Sequence, residues 1–206
     1  MAHETATVVG VAGGSGAGKT TFVRSLVEML PPRSTVVLSH DAYYRDLSHL
    51  APDDRADTNF DHPDSLDTGL LCEHVRRLHR GEAVEAPTYD FATHTRADVT
   101  TTHEPKPILI VEGILILGDD ALRSLLDLAV YIDVDPDVRL GRRLERDVRE
   151  RGRSPESVLA QWGKTVKPMH EAFVDPSRLQ ADIIVPQGGS NATAARLVAA
   201  HVRERA

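Results

Sequence analysis

Five short apolar runs punctuate the chain: TVVGVA at 7–12, TVVLS at 35–39, ILIV at 108–111, LAVYI at 128–132 and DIIV at 182–185. They are continuous rather than alternating, the pattern of strands covered on both faces. Between them lie segments with helical spacing. From Lys19 to Leu30, Phe22, Leu26 and Met29 share one face, and Pro31-Pro32 stops the turn. Buried strands alternating with helices predict an α/β fold built on a doubly wound, five-stranded, mainly parallel sheet. No shift of composition divides the 206 residues, so a single domain over 1–206 is expected. Two segments are not simple crossovers. Residues 82–106 interleave Thr and other β-formers with polar side chains, which predicts a β-hairpin excursion from the sheet. The arginine-rich VRLGRRLERDVRERGR, 138–153, follows Asp135-Pro136, an N-cap and first-turn pair, and reads as a mobile helix. Ser154-Pro155 caps the next helix and marks a hinge, giving a helical lid over 136–163.

The turn after the first run carries the clearest chemistry. GGSGAGKT, Gly13 to Thr20, satisfies G-x-x-x-x-G-K-[ST] between a predicted strand and a predicted helix, the context the motif requires. Gly13, Gly14, Ser15, Gly16, Ala17 and Gly18 can turn backbone N–H groups onto phosphate oxygens. Lys19 reaches the outer phosphates, and the Thr20 hydroxyl can hold Mg²⁺. No G-x-G-x-x-G runs through these glycines, which disfavours a dinucleotide site. The chain contains neither Asn-Lys-x-Asp nor Asp-x-x-Gly, which disfavours a GTPase switch.

Charge and composition narrow the partners. A formal net charge of -7 argues against a general nucleic-acid binder and for small-molecule chemistry. The single cysteine, Cys72, shares a helical face with Leu71, Val75 and Leu78 and reads as core packing in a reducing compartment. No basic region precedes an apolar stretch and no apolar run approaches a membrane span, so a cytoplasmic protein that engages no membrane is expected.

A phosphate loop needs an acceptor site. In a doubly wound sheet ligands gather at the carboxyl ends of the strands, where Asp41 follows the second run as the loop follows the first. Asp41 is either a base that takes a hydroxyl proton, touching Mg²⁺ as well, or the N-cap of the following helix. Glu112 ends the third run, in VEGILIL, and is either a magnesium ligand through water or half of an ion pair with an arginine. In TNFDHPDSLDT, 58–68, Asp61, Asp64 and Asp67 compete to cap one helix start. In PTYDFATHTR, 87–96, Tyr89 and Phe91 share a strand face, and with His94 and Arg96 they either touch a flat ligand or pack the hairpin. Of the lid arginines, Arg139, Arg142, Arg143 and Arg146 line one helix face. Pairs such as Arg143 with Asp147 and Glu145 with Arg149 suit a solvated, salt-bridged helix equally well.

With these segments assembled the chain resembles the uridine kinase (uridine-cytidine kinase) family of P-loop kinases. The resemblance runs along nearly the whole chain, through GGSGAGKTT, SHDAYYRD, NFDHPDS, PTYDFATHTR, VEGILIL, RLGRRLERDVRERGR, VKPMHEAF and ADIIVPQGGSN in the family's order. NFDHPDS with YDFATHTR is its specific part. It implies phosphorylation of the 5′-hydroxyl of uridine and cytidine to UMP and CMP, with ATP or GTP as donor and Mg²⁺, in pyrimidine salvage. It implies Asp41 as catalytic base with Tyr44 beside the substrate, and Asp61 and Arg143 on the ribose. Tyr89 and His94 would read the pyrimidine edge, Phe60 and Phe91 would form its pocket, and Gln161 would lie on the nucleoside side. The magnesium positions match Thr20, Asp41 and Glu112. Gly13 to Thr21 bind the donor, with Lys19 and Arg146 catalytic and Arg151 and Arg153 also facing phosphate. Family members are commonly homotetramers.

The nearest alternatives are a phosphoribulokinase or pantothenate kinase of the same fold, which the pyrimidine-reading hairpin disfavours. A nucleotide-binding regulator without catalysis is disfavoured by the presence of Lys19, Thr20, Asp41 and Glu112 together.

Overall fold

The computed structural model describes residues 6–205. Five strands, β1 (Thr7–Ala12), β2 (Thr35–Ser39), β5 (Ile108–Gly113), β6 (Leu128–Ile132) and β7 (Ile183–Val185), form a sheet of order β2-β5-β1-β6-β7 in which every pairing is parallel. The two remaining strands, β3 (Val84–Asp90) and β4 (Thr95–His103), pair only with each other as an antiparallel hairpin. The expected architecture and hairpin are therefore present.

Continuous apolar runs are explained by cover on both faces. All six residues of β1 are buried. Val9 and Val11 point into a core with Phe22 and Leu26 of α1 (Lys19–Met29) and with Ala195 and Val198 of the C-terminal helix, Ala192–Arg205. Val8 and Ala12 join the opposite core, with Leu71 and Val75 of α2 (Thr68–His79) and Val84 and Tyr89 of the hairpin. Cys72 is buried in that second core, as its spacing predicted. Among the described residues no helix is long and apolar enough to cross a membrane.

The arginine-rich helix, α3, spans Pro136–Arg151 and ends at Gly152 in the left-handed conformation (φ 63°), two residues short of the predicted end. Asp135 stands at its N-cap, but through its backbone: Arg139 N–H donates to the Asp135 carbonyl at 3.0 Å while the side chain caps nothing. Ser154 does cap α4 (Pro155–Gln161), accepting from Ser157 N–H at 3.2 Å. Beyond Gln161 the chain stays helical to Gln180 with wide turns at 162–166 and 170–174. Pro168 and Pro176 lie along this stretch, where a missing N–H disfavours regular α turns.

Candidate functional site

The loop from β1 to α1 folds tightly against α3. Gly18, at φ 91°, occupies the N-cap position of α1. Gly16, at φ 81°, has no room for a Cβ, which would run into the Arg139 carbonyl. No side chain caps α1 and no acidic residue lies in its first turn. Its positive end is thus left for an external anion. Lys19 Nζ donates to the Gly14 carbonyl at 3.4 Å. Burial lowers the pKa of that ammonium, opposed mainly by Asp41 and then Glu112. Ser15, Lys19 and Thr20 line a cavity of about 580 Å³, in the size range of small-molecule sites. Gly13, Gly14, Gly16, Ala17 and Gly18 form the loop beside it, while Thr21 is exposed and outside the lining.

The carboxyl ends of β2 and β5 supply two carboxylates to the same cavity, Asp41 and Glu112. Asp41 does not cap the 3₁₀ turn that carries it, His40–Tyr43: Ser39 holds the N-cap position and makes no side-chain cap bond. Glu112 forms no ion pair with an arginine among the described residues. It accepts instead from the Thr20 hydroxyl, at 3.2 Å to Oε2 and 3.3 Å to Oε1. Burial raises its pKa, Lys19 opposes that shift, and Asp41 adds to it. Among the described residues no group of three or more His, Cys, Asp or Glu is placed to hold a metal. A hydroxyl and two carboxylates are a hard-oxygen set suited to Mg²⁺, which keeps waters and phosphate oxygens in its shell rather than taking a full protein cage.

Opposite the loop stands a box of aromatic rings. Tyr44 meets Phe60 at 5.6 Å and Phe91 at 6.4 Å edge-on and Tyr89 at 5.0 Å at a tilt, and His94 stacks on Phe60 at 4.7 Å between centroids. All five line the cavity. His94 sits at the hairpin tip with φ 56°, an uncommon conformation for a residue other than glycine, and burial lowers its pKa. The Tyr89 hydroxyl is buried without a hydrogen-bond partner, and burial lifts its pKa to about 12. These neutral groups can both donate to the edge of a polar ring.

The three competing aspartates part company. Asp67 caps α2, accepting from Leu70 N–H at 3.2 Å. Asp64 is exposed, its N–H donating to His62 Nδ1 at 3.2 Å. Asp61 is left for the cavity, 7 % exposed and accepting from the Thr165 hydroxyl at 2.9 Å. Burial pushes its carboxyl up, with Arg143 as the chief opposing charge. Arg96, on the hairpin with Tyr89, does not enter the cavity. Its guanidinium donates to the Tyr44 carbonyl at 2.8 Å and the Tyr43 carbonyl at 3.4 Å, and pairs with Asp67 at 3.3 Å.

The lid arginines divide as well. Arg143, Arg146, Arg151 and Arg153 line the cavity with Gln161. Arg142 bonds the loop instead, and Arg139 packs against it. Arg139 is buried over Trp162 with Nε on the Val134 carbonyl, and Arg142 donates to the Ala17 carbonyl. Arg149 pairs with Glu145 in solvent at 2.6 Å, as a salt-bridged helix would have it. Asp147 is different: it is fully buried at the centre of the cavity-lining arginines. An i, i+4 reading treats it like Glu145 and misses this. The available signal was its position one residue after Arg146, with Arg151 four residues further along.

The sequence profile described as "Phosphoribulokinase / Uridine kinase family" matches residues 8–194. A uridine kinase of Geobacillus kaustophilus (strain HTA426) is 48% identical over 196 residues, covering 95% of this chain and 93% of the relative. One from Staphylococcus aureus (strain JH9) is 48% identical over 188 residues, 91% of each chain. Among solved structures, the D-glycerate 3-kinase of Cryptococcus neoformans aligns with a TM-score of 0.60 at 18% identity, over 83% of this chain and 80% of that one. A structure from Bacillus stearothermophilus, described as a possible uridine kinase, aligns at 0.61 and 17% identity over 90% and 91%. At such identities the structural likeness speaks for the fold alone.

Proposed function

Because the chain belongs to the phosphoribulokinase/uridine kinase family, we propose that this kinase transfers the γ-phosphoryl group of ATP or GTP to the 5′-hydroxyl of uridine and cytidine, giving UMP and CMP for pyrimidine salvage. The observation that carries the reading is a single cavity with Lys19, Asp41 and Glu112 at one end and the box of Tyr44, Phe60, Tyr89, Phe91 and His94 at the other. A phosphate loop alone fits many acceptors. A flat aromatic box beside it fits a base attached to a sugar.

In this account the backbone of Gly13 to Thr21 cradles the donor phosphates, and Lys19 neutralises the outer ones. The pyrimidine lies in the aromatic box with its edge on Tyr89 and His94, and Asp61 and Arg143 take the ribose hydroxyls, with Gln161 beside them. That pose brings the 5′-oxygen to Asp41, which accepts its proton as the oxygen attacks the γ-phosphorus and the bond to the β-phosphate oxygen breaks. Arg146, Arg151 and Arg153 stabilise charge on the transferring group. Thr20, Glu112 and Asp41 would hold Mg²⁺, which would neutralise charge on the donor phosphates. Homotetrameric assembly accompanies the proposal through the resemblance alone, and a cytoplasmic setting through the hydropathy of the sequence. A sister activity on a sugar phosphate or pantothenate would leave the aromatic box without a partner.

The experiment is nucleoside diphosphate release from Mg-ATP with uridine, cytidine, adenosine, pantothenate or ribulose 5-phosphate as acceptor. Turnover confined to uridine and cytidine is expected. Turnover confined to another acceptor would overturn the substrate assignment, and no turnover with any of them would overturn the activity.

A further inference from the structure

We propose that Asp147 is a positioning residue that fixes the four cavity-lining arginines as one group between the phosphate loop and the acceptor side of the site; the inference rests on the kinase reading above. Its carboxylate is 0 % exposed. Arg146 reaches Oδ1 with Nη2 at 2.7 Å and Nε at 2.8 Å, and Arg151 Nη1 lies 3.7 Å from the same oxygen. On the other side Arg153 Nη1 is 3.5 Å and Arg143 Nε 3.6 Å from Oδ2. One buried negative charge thus stands among four positive ones that lie on two helical turns and the loop beyond them.

Two physical consequences follow. Without Asp147 the guanidinium groups would repel one another, and their long side chains would spread among many rotamers. With it, their order is set during folding rather than when substrates bind, which is how preorganised charge lowers a barrier. The anchoring also leaves the two Nη groups of Arg143 for other partners. Arg143 keeps Nη1 on the Ser15 hydroxyl at 2.7 Å and Nη2 on Gln161 Oε1 at 2.8 Å. Asp147 therefore ties the phosphate loop to the acceptor side through a single guanidinium. Arg151 lies over the Phe91 ring at 4.6 Å, so the group also reaches the hairpin. Asp147 Oδ2 and Arg143 Nε have no hydrogen-bond partner at these distances. The carboxylate holds Arg143 by charge more than by direction, so its position matters as much as its sign.

Asp147→Glu separates position from charge, because it keeps the carboxylate and moves it by one methylene. Misplacement on this scale costs on the order of 10- to 100-fold in rate. The expected result is a kcat at least ~10-fold below wild type, with affinity for inorganic tripolyphosphate, measured by calorimetry without nucleoside, within ~3-fold of wild type. A kcat within ~3-fold of wild type would overturn the proposal. So would a parallel loss of kcat and tripolyphosphate affinity, which is what general damage to the site produces. Should the glutamate variant fail to fold, Asp147→Asn is read by the same two measurements: the expected result is a kcat at least ~10-fold below wild type with tripolyphosphate affinity no more than ~3-fold weaker, and the contrary results are the same. Turnover is read on whichever acceptor the wild-type protein uses. A wild-type protein inactive on uridine and cytidine thus counts against the substrate assignment alone, while the kcat split still decides Asp147.

Discussion

His40 packs directly behind the turn that bears Asp41. Its ring is 1 % exposed, Nε2 meets Thr68 Oγ1 at 3.1 Å, and a Cβ on Gly113 would strike its own Cβ. Burial lowers its pKa to about 4, against weaker opposing pulls from Asp41 and Asp119. A depressed folded-state pKa stabilises the fold above the unfolded value of about 6.5 and loses that contribution as pH falls toward the folded one. Between pH 7 and pH 5 the loss is about 2 kcal/mol. His40→Gln removes the titration while keeping a side chain able to meet Thr68. Denaturant unfolding at both pH values should show the wild type losing about 2 kcal/mol more than the variant; equal losses would contradict this role. Asp41 was legible in the sequence because ligands gather at the carboxyl ends of the strands, and Glu112 because a carboxylate ending a buried strand is costly without a partner. Asp147 was not, since i, i+4 spacing is the same for a pair in water and one sealed beneath a helix.

The hairpin shows the same limit one scale up. Its strands are readable from their β-formers, but the way they dock is not. Arg96 ties β4 to the Asp41 segment through the carbonyls of Tyr43 and Tyr44, and backbone acceptors leave no trace in the sequence. It also pairs with Asp67, the cap of α2. Arg96→Ala should destabilise the protein by about 1–3 kcal/mol by stranding these acceptors. Because the hairpin carries Tyr89 and His94, the KM for uridine should rise more than that for ATP. An equal rise in both, or none, would show that the hairpin holds its place by packing alone. The lid helix ended where its glycine put it, a detail present in the sequence at Gly152 but outweighed there by the run of arginines on both sides.

Across the whole molecule, the five-stranded sheet was legible because every strand is apolar through both faces and separated from the next by helical spacing. The strand order was not written in any one run: the chain leaves the sheet for the hairpin and returns with β5 between β2 and β1. The cavity is likewise a product of the tertiary fold. It joins the ends of β1, β2 and β5, the hairpin tip and the lid, segments as far apart in sequence as Ser15 and Thr165. Concentrating arginine there gives a chain of formal charge -7 a cationic wall where anionic phosphates would sit.

On this reading the cavity binds a pyrimidine nucleoside independently of the step that Asp41 performs on it. The most direct measurement is uridine affinity by calorimetry together with single-turnover phosphoryl transfer from Mg-ATP, in the wild type and in Asp41→Asn. The expected result for the variant is uridine affinity within ~3-fold of wild type and transfer slower by at least ~100-fold, the range for loss of a general base. Transfer at the wild-type rate in the variant, or no uridine binding by either protein, would contradict it.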